Sequence, residues 1–181
     1  MKYATQWFIG MTAATMAAPA ALVAQAPAVR LMLEEVFEPG QRAKVLVRVA
    51  TNGYLVVLRA DAQGRIRVLF PVDPADSAVI AAGKEFTIVD RGGREGFLVD
   101  DSGGSGLVVA AHANTPFDFQ EFTRGVHWDW RALRSADSAA TGETALVDVL
   151  DRMATTDYDY DVLPYSVRSR ANAGRNVGRN D

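Results

Sequence analysis

Alternating apolar and polar residues predict β-strands early in the chain. Between residues 43 and 50 a valine recurs at every second position, namely Val45, Val47 and Val49. This period of two is typical of a strand with one buried face. Residues 54–59 are the predicted return strand, and residues 65–70 alternate again. The pair Asn52-Gly53, which favours tight hairpin turns, and the turn at residues 61–64 separate the three segments. We therefore predict an antiparallel meander of three strands.

Further strands are predicted beyond residue 70. Residues 85–88 and 96–99 are short alternating segments, and residues 100–106 read as a flexible loop. The apolar run at 107–112 is typical of a central strand covered on both faces. Together with a last strand at 158–167, about seven strands predict a mainly β protein, an antiparallel β-sandwich, with a small barrel as the alternative.

Between the last two predicted strands, the spacing of apolar residues changes from that of a strand to that of a helix. Apolar residues recur there at helical spacing, namely Leu146, Val149, Leu150 and Met153. We predict an amphipathic helix at residues 142–154, packed on the sheet, with Thr141 as its N-cap and Glu143 in its first turn. Residues 168–181 carry four arginines and few apolar residues, so we expect a disordered tail there. We expect this tail to be solvated, and binding to an acidic partner or a membrane surface is the alternative.

The N-terminal residues have the composition of a targeting sequence. Residues 1–29 contain one charged side chain, Lys2, followed by an apolar, alanine-rich stretch. This pattern predicts a secretory signal peptide over residues 1–24, and an uncleaved membrane anchor is the alternative. Residues 25–42 would then form an N-terminal extension with a first strand, and 43–167 the β-sandwich domain. We expect a periplasmic or extracellular protein with no stable transmembrane segment after processing.

The amino-acid composition and short motifs exclude several classes of binding and catalytic site. The 22 acidic and 19 basic residues give a net charge of −3, which does not favour nucleic acid as a partner. Zero cysteines exclude disulfides, thiolate metal sites, thiol catalysis and a lipidated N-terminal cysteine. Gly103-Gly104-Ser105-Gly106 does not satisfy the Gly-x-Ser-x-Gly pattern of hydrolases. Gly83-Lys84 lacks the remaining residues of a phosphate-binding loop. We predict no catalytic set and no cofactor.

Three aspartates alternate with tyrosines near the C-terminus, namely Asp157, Asp159 and Asp161. An EF-hand loop starting at Asp157 would require Gly at 162 and Glu at 168, where this chain has Val162 and Arg168. In a strand the three carboxylates form one acidic stripe, which is usually solvated. We therefore predict no metal site.

The segment His127-Trp128-Asp129-Trp130 is the strongest candidate for a binding site. Exposed tryptophans beside a carboxylate could anchor a protein partner or stack on a sugar ring. The alternative is that these tryptophans join the phenylalanines at 117, 119 and 122 and cover one end of the sandwich. An acid–base pair of His127 and Asp129 would need a nucleophile or second carboxylate that the sequence does not place.

A family resemblance covers about residues 43–120. The resemblance rests on five motifs: Gly53-Tyr54-Leu55, the turn at 61–64, Leu69-Phe70-Pro71, Ala82-Gly83-Lys84 and the alanine-rich strand before Pro116. These motifs resemble the bacterial family called domain of unknown function 4384, although residues 100–105 are an insertion relative to its pattern. The resemblance implies a secreted or enzyme-linked accessory domain and supplies no catalytic residues.

These observations favour a non-enzymatic domain of the cell envelope that binds an envelope protein through residues 127–130. A glycan- or peptidoglycan-binding module, or a weak cell-wall hydrolase, is the alternative.

Overall fold

The computed structural model describes residues 27–137 and 139–169. The predicted signal peptide at 1–24 and residues 170–181 of the arginine tail lie outside this range. The described part contains thirteen strands and one α-helix: β1 Val29–Met32, β2 Val36–Phe37, β3 Arg42–Ala43, β4 Leu46–Val49, β5 Gly53–Ala60, β6 Ile66–Phe70, β7 Val79–Ile80, β8 Glu85–Thr87, β9 Phe97–Leu98, β10 Gly104–Ala113, β11 Thr123–Arg124, β12 His127–Trp128, α1 Glu143–Met153 and β13 Tyr158–Val167.

A six-stranded sheet forms the centre of the molecule. Its strand order is β2-β13-β10-β5-β6, and β7 pairs with the start of β5. All of these pairs are antiparallel except β2 with β13. The longest pairing joins β10 to β13, from Gly104 opposite Val167 to Ala113 opposite Tyr158.

Both faces of this sheet are buried. Along β5, Leu55 and Val57 pack into one apolar cluster, and Val56 and Leu58 pack into a second cluster on the opposite face. The first cluster is closed by a three-stranded sheet of order β1-β4-β8, and the second by α1. The protein is thus mainly β, with antiparallel sheets packed face to face and one helix against the outer face of the larger sheet. This confirms the predicted fold class.

The helix and the apolar central strand form where the sequence predicts them. Four residues of α1 at helical spacing are fully buried: Leu146, Val149, Leu150 and Met153. The predicted N-cap is wrong, because Gly142 occupies that position and no side chain caps the helix. In the part of the chain described, no helix is long and apolar enough to cross a membrane.

The predicted three-strand meander is wrong at its first turn. Strand β4 belongs to the small sheet and β5 to the central sheet, so Asn52-Gly53 connects two sheets and is not a hairpin turn. Neither residue has the positive φ that a tight hairpin turn of this kind needs. Glycine is needed at 53 because a Cβ atom there would lie 2.4 Å from the carbonyl oxygen of Ala113. Strands β5 and β6 do form the predicted hairpin.

The predicted flexible loop at 100–106 is also wrong. Residues 104–106 belong to β10 and pair with the end of β13. The Asp101 side chain is fully buried in an ion pair with Arg59. A local sequence pattern rich in glycine and aspartate could not show this distant partner.

Candidate binding cleft

A half-open cleft of about 990 Å³ lies between β6 and the segment that leads into α1. Ile66 and Val68 line it from the sheet, and Trp128, Trp130, Leu133 and Arg134 line it from the other side. Concave surfaces with aromatic and apolar walls and few charged groups are the usual ligand sites of proteins. This cleft is therefore the candidate functional site.

Trp128 forms a fixed wall of the cleft. It ends the β11–β12 hairpin, opposite Thr123. Its indole Nε1–H donates a hydrogen bond of 3.1 Å to the carbonyl oxygen of Val72. Its ring packs edge-to-face on Phe119, with the centroids 5.0 Å apart. The side chain is half-buried and held by both contacts, so it shapes the cleft without being free to move.

Trp130 lies at the rim of the cleft and is 59% exposed. Two guanidinium groups lie over its ring, that of Arg131 at 5.2 Å and that of Arg134 at 5.5 Å from the centroid. Such contacts are attractive because the face of an indole carries negative potential. The result is an exposed aromatic platform with positive charge around it.

His127 and Asp129 do not contribute to the cleft. The His127 ring is exposed, and its Nδ1 lies 3.6 Å from Oδ1 of Asp73. The Asp129 carboxylate accepts a hydrogen bond of 2.9 Å from the backbone N–H of Arg131, within the turn that leads to Trp130. The structure therefore brings the two tryptophans to one site and directs the histidine and the aspartate to other partners.

The phenylalanines near this segment are packed beneath it. Phe117 and Phe122 are buried, and Phe119 packs partly against the helix-side cluster. These three phenylalanines therefore fit the alternative in which the aromatic residues cover one end of the sandwich. Trp128, which is half-buried, fits it in part. Trp130 departs from it.

A buried charged network lies on the opposite face of the sheet, and sequence reasoning missed it. The Arg59 guanidinium bonds to Asp101 at 2.6 Å, to Asp100 at 3.1 Å and to the hydroxyl of Tyr165 at 2.7 Å. It also lies 4.3 Å from the ring centroid of Phe97. The alternation of β5 was the available signal, because Arg59 follows Leu55 and Val57 on the same buried face.

His112 is the second polar residue inside the sheet. Its side chain is buried, and its Nε2 has no hydrogen-bond partner among the described residues. Burial lowers the pKa of the imidazole, against the opposing effects of the Asp159 carboxylate and the Thr51 backbone. The ring is therefore neutral near pH 7, and it fills the space that glycine leaves at position 53.

The acidic stripe of β13 has a structural role at one position. Oδ2 of Asp161 accepts a hydrogen bond of 2.8 Å from the backbone N–H of Leu31 in β1, which links the two sheets. In residues 27–137 and 139–169, no group of three or more acidic or histidine side chains is arranged to hold a metal ion.

Residues 36–116 match the family described as Domain of unknown function (DUF4384). The chain contains a DUF4384 domain. Neither a curated protein nor a solved structure matches the chain. The DUF4384 region runs from β2 to just beyond β10 and includes the β6 wall of the cleft. The wall that carries Trp128 and Trp130 follows that region, so the cleft combines residues inside the matched range with residues beyond it.

Proposed function

We propose that this chain is a non-enzymatic module of the cell envelope that binds another envelope protein in the cleft beside β6. The observation that carries the proposal is Trp130, an exposed indole at the rim of a concave surface lined by both apolar and charged side chains. Tryptophan and arginine are the residues most enriched at the energetic centres of protein interfaces. Trp130 combines with Arg131 and Arg134 at this rim.

Two further observations support the proposal. The signal-peptide pattern of residues 1–24 favours export and therefore an envelope partner. The separate partners of His127 and Asp129 favour binding over acid–base catalysis, which needs converging groups at one pocket.

The alternative is glycan binding, and Trp130 is the observation that favours it. An exposed indole can stack on a sugar ring. The two guanidinium groups already lie over this ring and compete for that position. Positive charge beside an aromatic platform suits an acidic protein segment better than a neutral sugar.

Photo-crosslinking in intact cells of the native host tests the proposal. The photoreactive amino acid p-benzoylphenylalanine replaces Trp130 in one variant. In the control variant it replaces Val126, which is 69% exposed and outside the cleft lining. We expect one dominant protein adduct from position 130 that is absent from position 126. Equal adducts from both positions, or none from position 130, would contradict the proposed site, and retention of the protein in the cytoplasm would contradict the envelope location.

Sedimentation with purified peptidoglycan tests the alternative. Enrichment of the wild-type protein that is lost in Trp130→Ala would favour the glycan module. A hydrolase would in addition release soluble fragments and stop doing so in His127→Ala or Asp129→Asn.

A further inference from the structure

The strand β6 leaves one edge of the central sheet open. Within the described ranges, β6 pairs with β5 alone. The backbone N–H of Asp61 donates to the carbonyl oxygen of Arg65 at 3.1 Å, which sets the alternation along the strand. In an antiparallel pair the residues that bond inward alternate with those that do not. Arg65 and Arg67 therefore bond toward β5, and the backbone groups of Ile66 and Val68 face the open edge. Beyond Val68 the register with β5 shifts by one residue, so the regular edge ends there.

This open edge borders the cleft. The side chains of Ile66 and Val68 pack on the helix side of the sheet, where the cleft lies. Leu133 and Ala140 line the cleft across from them. A strand added along β6 would continue the sheet, and every second side chain of that strand would point into the cleft. These positions favour apolar side chains.

On the other face of the sheet, an added strand would favour acidic side chains. Arg67 lies directly opposite Arg59 and so projects from the face away from the helix, and Arg65 precedes it by two positions. Both arginines are about half exposed, at 56% and 50%. An added strand would place its remaining side chains beside them. Each arginine already forms an ion pair, Arg65 with Asp61 and Arg67 with Asp100. A guanidinium group has five N–H donors, so both arginines retain donors for a further carboxylate.

We propose that the cleft binds an extended segment of the partner protein, which adds to β6 as a further strand. The segment carries apolar side chains alternating with aspartate or glutamate. This inference rests on the proposed binding function and specifies the chemistry of the partner. It follows from the open edge, the apolar wall on one face and the two half-exposed arginines on the other.

Peptide binding to the purified protein tests this mode. The probe is a fluorescein-labelled, acetylated and amidated peptide in which Glu alternates with Val or Leu, measured by fluorescence anisotropy. The matched control carries Lys in place of every Glu. We expect the Glu peptide to bind and the Lys peptide to bind at least about tenfold more weakly, because like charges then meet at Arg65 and Arg67.

Backbone methylation isolates strand pairing from side-chain effects. One peptide is N-methylated at all apolar positions, and a second at all Glu positions. In a strand only one of these two sets donates to β6. We expect one methylated peptide to lose binding and the other to keep it. Loss in both, or in neither, would overturn strand addition.

A variant of β6 gives the same test from the protein side. Val68→Pro removes an outward N–H that the pairing with β5 does not use, and proline is tolerated on such an edge. Val68→Ala shortens the side chain and keeps the N–H. We expect peptide binding to weaken about tenfold in Val68→Pro relative to Val68→Ala, as loss of a buried bond of this kind implies. If Val68→Pro does not fold, the two methylated peptides decide the matter.

The outcomes separate this inference from the proposed function. A position-130 adduct that forms equally well in Val68→Pro would overturn strand addition and leave the cleft as the binding site. A purified protein that dimerises, and becomes monomeric in Val68→Pro, would show that a second copy occupies the edge and would also overturn the inference. Absence of both the position-130 adduct and peptide binding in the protein with wild-type β6 would overturn both proposals.

Discussion

Arg59 and Asp101 form an ion pair inside the protein, with Nη2 and Oδ2 2.6 Å apart and both side chains almost fully buried. The pair joins strand β5 to the segment just before β10. Tyr165 of β13 accepts a further hydrogen bond from Arg59, so one guanidinium group joins β5, β13 and the segment before β10. Removing one partner would leave the other charge buried without compensation.

Asp101→Asn tests this pair. The substitution keeps the shape and removes the charge, and we expect it to lower the free energy of unfolding by about 3 kcal/mol. Urea denaturation measures the change. The control is Glu95→Gln, which breaks the exposed pair of Glu95 with Lys44 at 3.0 Å and is expected to cost less than about 1 kcal/mol. Equal losses in the two variants would show that burial does not govern the contribution of Arg59.

Gly106→Ala tests the packing of Tyr165 against β10. A Cβ atom at 106 would lie 2.3–2.6 Å from three atoms of the Tyr165 side chain, so the phenol must leave its present position, in which it bonds to Arg59. We expect a loss of about 2 kcal/mol in thermal or urea unfolding. Gly92→Ala is the control, because its Cβ meets only side-chain atoms, the nearest at 3.2 Å. A neutral effect of Gly106→Ala would contradict the close contact.

The buried imidazole of His112 should make the stability of the protein depend on pH. Its pKa in the folded protein is lowered by burial from an ordinary value of 6.5. As the pH falls below 6.5, the unfolded chain takes up this proton before the folded protein does, so the free energy of unfolding decreases. We expect wild type to lose stability between about pH 7 and pH 5.5, and His112→Leu to lose less over that range. Parallel curves for wild type and His112→Leu would contradict this role.

The two tryptophans of the cleft should differ in their contribution to stability. Trp128→Ala removes the packing on Phe119 and the hydrogen bond to Val72, and we expect a loss of about 3 kcal/mol. Trp130→Ala removes an exposed side chain and should change stability by less than about 0.5 kcal/mol. Urea unfolding of each variant measures the difference. Similar large losses in both would identify Trp130 as a core residue and remove it as a binding residue.

Asp90 should titrate at unusually low pH. Its carboxylate accepts hydrogen bonds from the backbone N–H groups of Arg94 and Gly92, and from the guanidinium of Arg42 at 2.7 Å. The Arg94 contact has the largest effect, and together these contacts lower the pKa of Asp90 from 3.8 to about 2. The stabilisation they provide is therefore present above about pH 4 and is lost as the pH falls toward 2. Titration by NMR measures the pKa, and Arg42→Gln should raise it. An unchanged value in that variant would assign the shift to the backbone contacts alone.

Local patterns in the sequence determined the elements of this protein. The alternation of Val45, Val47 and Val49 predicts a strand with one buried face, and all three side chains are buried in the structure. The strand Tyr158–Val167 and the helix Glu143–Met153 also form where their periods of 2 and 3.6 residues predict them. These predictions succeed because alternation reports which side of an element faces apolar surroundings.

Tertiary structure alone decided which elements meet. The same pattern of valines fits a hairpin with β5 or a place in a second sheet. The second holds because β10 occupies one edge of β5, and β6 and β7 occupy the other. Asp101 reads as part of a loop until the fold places it against Arg59, 42 residues away. The cleft likewise joins Ile66 to Leu133 across a long separation in sequence. Periodicity describes burial along one segment, whereas ion pairs and clefts depend on the packing of distant segments, which no local pattern contains.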